Sequence, residues 1–128
     1  MKRLIILISL IFSISISTEL SAASKSKVHT FEAGKGHFLL DGEPFLIKAA
    51  EIHYARIPAE YWEHRIQMCK ALGMNTICIY VFWNYHEEEE GVFNFEGERE
   101  FSRFLKLCQK HDMWVIVRPG PYVCAEWE

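Results

Sequence analysis

Residues 76–82 read T-I-C-I-Y-V-F and residues 113–117 read M-W-V-I-V, with E-R-E-F-S-R-F-L-K-L-C-Q-K at 98–110 between them. The two flanking runs are β-branched and aromatic, the composition of buried strands. In the stretch between, Phe101, Phe104, Leu105 and Cys108 fall on one face at helical spacing, which predicts a helix over 98–110. The same alternation holds upstream. Residues 47–52 form an apolar run, and after Pro58 the residues Trp62, Ile66, Cys69 and Leu72 recur at helical spacing until Gly73. That is a helix opened by proline and ended by glycine. Strand, helix, strand, helix, strand, recurring about every 30 to 37 residues with strands apolar on both faces, predicts successive βαβ units in a parallel sheet. Ahead of them, two apolar runs flank Asp41-Gly42, a β-hairpin signal.

The fold class is therefore α/β. A doubly wound nucleotide-binding sheet gives the same alternation, but no glycine-rich phosphate loop follows any of the three strands. The expected architecture is the first three βα units of a (β/α)8 TIM barrel preceded by the hairpin. A full barrel takes roughly 250 residues and eight units, so residues 36–128 are expected to be an incomplete barrel. Its outer strand edges would leave backbone donors and acceptors unpaired if the segment were made alone.

The chain has 128 residues and a formal net charge of -3, with 24% charged residues and no basic stripe, which argues against a nucleic-acid partner. Half the residues are hydrophobic and 14% aromatic, the composition of a chain that buries a core. Met1-Lys2-Arg3, an apolar run over 4–16 and Ser21-Ala22-Ala23 follow the order of a signal peptide, expected over 1–23. A membrane anchor is the competing reading, but the run is shorter than the roughly 18 to 20 apolar residues a span needs. Residues 24–35 read as a linker. Export implies a bacterial periplasm, or else an extracellular or lysosomal address. Four cysteines allow three disulfide pairings. Cys69, Cys78 and Cys108 lie on helix faces or in a strand, which favours buried free thiols.

Polar and aromatic residues concentrate where each strand ends. Glu51, His53, Tyr54 and Arg56 follow the first. Tyr80, Trp83, Asn84, His86 and Glu87 surround the end of the second, and Arg118, Tyr122, Glu126, Trp127 and Glu128 follow the third. In barrels that end is the active-site face. Aromatic rings offer apolar platforms to sugar rings, while carboxylates and amides bond sugar hydroxyls, so the mixture suits a carbohydrate.

Three strings sharpen this: R-P-G-P-Y-V-C-A-E-W-E at 118–128, I-Y-V-F-W-N-Y-H-E at 79–87 and E-I-H-Y-A-R-I-P at 51–58. Together with Y-W-E-H-R-I-Q-M-C-K-A-L-G-M-N at 61–75, they resemble signatures of glycoside hydrolase family 35, and the resemblance runs from about Gly36 to Glu128. It implies a barrel hydrolase that removes terminal β-linked galactose with retention, acting on β-galactoside oligo- or polysaccharides without a cofactor. Carried over by position, Tyr80 and Cys124-Ala125-Glu126 would line the galactose pocket. Glu126 would accept hydrogen bonds from sugar hydroxyls, and Trp83 and Asn84 would shape the floor. Retention needs an acid/base carboxyl and a nucleophilic carboxylate about 5 Å apart across the scissile bond. In the family these come from the fourth and seventh strands, so both are expected beyond Glu128. Phe82 and Glu88–Glu90 stand where the family often has prolines, a departure that bears on loop shape and linkage.

Plainer readings compete at several of these positions. Glu126 and Glu128 are too local to flank a substrate as a catalytic pair. The run Glu87–Glu90 reads as a solvated loop rather than a metal or acid cluster. His53 and His86 suggest a metal site only weakly, since no His-x-His pair occurs, and no metal is expected. Arg118 is expected in an internal ion pair with Glu51 or Glu126, Tyr54 and Arg56 as fixing the first loop, and Trp62 and Trp114 as core packing. The functional alternative is a truncated, inactive remnant or a sugar-binding module.

Overall fold

The computed structural model describes residues 28–127. The leader expected over 1–23, the first part of the linker and Glu128 lie outside the described residues. The architecture is mixed α/β, with two three-stranded sheets. One is antiparallel, in the order β1 (Phe31–Ala33), β2 (Phe38–Leu40), β3 (Glu43–Phe45). Asp41 and Gly42 close its hairpin with φ of 53° and 84°. Two consecutive positive φ values are the requirement of the tight hairpin turn that an Asp-Gly pair meets at low cost. β1 falls within residues 24–35, which the sequence alone reads as a linker. It is three residues long, with each residue partly exposed to solvent, too short to show a hydrophobic period, and its pairing with β2 defines it.

The second sheet is parallel, in the order β4 (Ala49–Glu51), β5 (Thr76–Tyr80), β6 (Trp114–Arg118). The register sets Glu51 beside Cys78 and Tyr80 beside Arg118. Consecutive strands are therefore neighbours, joined through α1 (Trp62–Ala71) and through α2 (Trp83–His86) and α3 (Phe101–Lys110). Asn75 fastens the start of the sheet: its amide donates to Leu46 O at 2.8 Å and accepts from Lys48 N at 2.9 Å.

The central strand and the two longer helices enclose the core. Trp62, Ile66, Ile77, Ile79, Phe104, Cys108 and Tyr54 all have no exposed surface, and each aliphatic or phenylalanine side chain so buried contributes about 1.5–3 kcal/mol. Pro58 precedes a 3-10 turn, Ala59–Tyr61, that leads into α1. The Ala59 amide at that start donates to Glu98 Oε2 at 2.7 Å, so a carboxylate from a distant turn meets the positive end of the helix. Gly73, at φ 83°, receives the chain as α1 ends, as its spacing predicted.

Five sequence expectations shift. Residues 47–52 shorten to β4, whose Ala49 and Glu51 are exposed. Leu72 lies beyond α1 and is 74% exposed. Trp114 is 38% exposed rather than core, although its ring meets His29 and Phe45 edge-on at 5.0 and 6.2 Å. β6 is also not buried on both faces, with Ile116 and Val117 partly exposed. β4 and β6 are the edges of the described sheet, and edge strands have neighbours on one side only. The second strand stops at Tyr80, and Phe82 becomes the residue before α2, a helix too short to leave a periodic signature.

Candidate functional site

The parallel register places Glu51, Tyr80 and Arg118 at the same end of their strands. Arg118 Nη2 lies 2.8 Å from Glu51 Oε1, and its guanidinium sits over the Tyr80 ring at 3.7 Å. Of the two partners the sequence offered for Arg118, the structure selects Glu51. His53 Nε2 approaches the same carboxylate oxygen at 3.2 Å. Burial holds the His53 imidazole below its ordinary value; Glu51 opposes that shift, and the Arg56 and Arg118 charges add to it. Among the described residues, His53 Nδ1 and Arg118 Nε are enclosed without hydrogen-bond partners.

A second group forms beside it from the loop after β6. The Trp127 ring stacks on Phe82 at 4.0 Å, and its indole N–H donates to Asn84 Oδ1 at 2.6 Å. Arg56 reaches the same loop and donates from Nη2 to the carbonyls of Ala125 at 2.6 Å and Glu126 at 2.7 Å. Its guanidinium also lies over Trp127 at 5.4 Å. Glu126, exposed and at φ 50°, adopts the left-handed backbone. Trp83 donates its indole N–H to Pro119 O at 3.3 Å, so both Trp83 and Asn84 tie α2 to that loop. Phe82 joins the groups, with ring centroids 5.3 Å from His53 and 6.1 Å from Tyr80.

The loop carrying Arg56 is itself fixed from below. The Trp62 indole N–H donates to Tyr54 O at 3.1 Å and Ile57 O at 2.8 Å. Tyr54 is buried, with its hydroxyl 2.5 Å from His86 Nε2, while His86 Nδ1 bonds Asn94 O at 2.8 Å. Tyr54 and His86 thus belong to the core beneath the site. Burial pushes the Tyr54 phenol well above its ordinary range, with a smaller contribution from Tyr85.

Other candidates stand apart. Tyr122 is 78% exposed and donates to Cys124 Sγ at 3.8 Å, a bond that holds its phenol above the usual range. Glu87 accepts from Gly91 N at 2.8 Å and Glu88 pairs with Arg99, so their carboxylates serve a loop. Cys69, Cys78, Cys108 and Cys124 are all free thiols, of which only Cys108 is fully buried. Burial pushes its thiol up to about 12. Sequence reasoning missed Phe82 as the hub of the ring cluster, noticing it only as a departure from a proline. The aromatic run 80–83 held the signal, but its partner Trp127 lies 45 residues on.

Comparison with known proteins gives one consistent result. The profile of Glycosyl hydrolases family 35 matches residues 37–128. A Beta-galactosidase of Xanthomonas manihotis is 40% identical over 119 residues, covering 93% of this chain and 20% of that protein. A Beta-galactosidase of Felis catus is 46% identical over 101 residues, 77% of this chain and 15% of the relative. A Beta-galactosidase-1-like protein of Mus musculus is 43% identical over 107 residues, 82% of this chain and 17% of the relative. The chain spans about a fifth or less of the length of these curated relatives.

Proposed function

The chain belongs to glycosyl hydrolase family 35, and on that premise we propose that it contributes part of the galactose pocket of a secreted, retaining β-galactosidase acting on terminal non-reducing β-D-galactose. The observation that carries the reading is the convergence of Tyr80, Arg118, Glu51 and the 124–127 loop at one end of three parallel strands. In a (β/α)8 barrel that end bears the catalytic face, and the three parallel strands in sequential order support such a barrel. In this reading Tyr80, Cys124, Ala125 and Glu126 contact the sugar. Trp83, Asn84 and Arg118 shape the pocket, and the acid/base and nucleophile come from beyond Glu128.

The chemistry assigned to Glu126 is discrimination. A carboxylate committed to sugar hydroxyls rejects a sugar that lacks the matching hydroxyl, because the charge is then desolvated without a partner. The Arg118 guanidinium, held by Glu51 and by the Tyr80 face, fixes the ring that would border the sugar. Residues 1–23 act in this proposal as a leader removed on export, which puts the enzyme in a periplasmic, extracellular or lysosomal space. Among the described residues no helix is long and apolar enough to cross a membrane.

The test is proton NMR of the first product released from an aryl β-galactoside by the full-length protein. Retention requires β-galactose to appear before mutarotation produces the α-anomer. Initial release of the α-anomer, or no turnover, overturns the reading.

A further inference from the structure

Glu126 is one of three described non-glycine residues with positive φ. A left-handed backbone costs an L-residue roughly 1 kcal/mol or more, so the surroundings must enforce it. The residue that touches this backbone from outside its own loop is Arg56, with Nη2 at 2.6 Å from Ala125 O and 2.7 Å from Glu126 O. Two successive carbonyls converging on one charged nitrogen fix the 125–126 and 126–127 peptide planes on either side of Glu126, and those two planes determine where its side chain leaves the backbone. The clamp has its own support. The loop of Arg56 is tied to α1 through the two bonds of the Trp62 indole, while Trp127, next after Glu126, is pinned by Asn84 and stacked on Phe82.

We infer that Arg56 is a positioning residue, which aims the Glu126 carboxylate into the sugar pocket by holding the two peptides that flank Glu126 from the first strand's loop. The inference rests on the proposed galactose pocket and extends it to a residue that does not itself contact the sugar. Both bonds are charge-assisted and come from a planar guanidinium whose donors are fixed in direction. A lysine keeps the charge but not that geometry. A glutamine keeps one donor group and loses the charge.

The experiment compares the full-length protein with its Arg56→Lys and Arg56→Gln variants on 4-nitrophenyl β-D-galactoside, reading KM, kcat and Tm. The expected result is a rise in KM on the order of tenfold in both variants, with kcat changed much less and Tm held within about 2 °C, since Arg56 is exposed and outside the core. A purely structural role would instead leave KM unchanged while Tm and kcat per total protein fall together, and that outcome overturns the inference. Failure of both variants to fold overturns it as well. If the parent protein shows no turnover, the galactosidase reading itself falls and the inference with it; if the parent turns over but KM does not move, the inference alone falls.

Discussion

Replacing Tyr54 with phenylalanine removes one oxygen from the centre of the molecule and nothing else. Tyr54 has no exposed surface, and its ring is enclosed by Trp62, Phe101, Phe104 and Tyr85 at centroid distances of 5.4–6.3 Å. The variant therefore keeps the apolar burial. Its hydroxyl lies 2.5 Å from His86 Nε2, and the other ring nitrogen of His86 bonds the Asn94 carbonyl. A carbonyl only accepts, so in the neutral ring Nδ1 carries the proton and Nε2 must accept from Tyr54. Tyr54→Phe leaves that acceptor unpaired inside a residue that is 2% exposed, at a cost of about 1–3 kcal/mol. Tyr85→Phe removes the same oxygen from an exposed bond to Glu98 O at 3.0 Å, where a change within about 0.5 kcal/mol is expected. Urea unfolding of the full-length protein, followed by tryptophan fluorescence, reads the difference as a lower midpoint with unchanged slope for Tyr54→Phe. Equal midpoints for the two variants would refute the tautomer and burial argument.

Two further outcomes are expected. Because burial lowers the folded pKa of His53 below its ordinary value of 6.5, the unfolded chain binds a proton that the folded chain refuses over the interval between the two values. Stability therefore falls as pH drops through that interval. NMR titration should place the His53 midpoint below 6.5, and His53→Gln should flatten that part of the stability profile; a midpoint at or above 6.5 contradicts the cause given. With iodoacetamide, exposed Cys124 should be alkylated and buried Cys108, its thiol pushed up to about 12, spared. Galactose should slow the labelling of Cys124 if the loop lines the pocket, which mass spectrometry of the digested protein measures.

The parts of the fold that were legible in the sequence are those with a period or a fixed turn chemistry. The helices α1 and α3 declare themselves through apolar residues at helical spacing, β5 through its β-branched run, and the hairpin through Asp41-Gly42. What stayed hidden is short or non-local. β1 and α2 span three and four residues, too few for any periodicity to show. The exposure of Trp114, Ile116 and Val117 depends on which neighbours flank β6, a property of the sheet rather than of the run itself. In the candidate site, the strings around Tyr80 and Arg118 place those residues at the ends of β5 and β6, with Glu126 in the loop that follows. The contacts that connect them could not be read. Arg56 meets Ala125 across 69 positions and Trp127 meets Asn84 across 43, separations at which residue type gives no information about pairing. The choice between Glu51 and Glu126 as the partner of Arg118 likewise needed the parallel register.

The galactose grip proposed for the 124–127 loop lies at the ends of β4, β5 and β6. Its most direct test is kcat/KM on 4-nitrophenyl β-D-galactoside for the full-length protein and its Glu126→Gln variant. The expected result is turnover by the parent and a loss of about tenfold to a hundredfold in the variant, the range for removing a charged hydrogen-bond partner. A variant as efficient as the parent would contradict it.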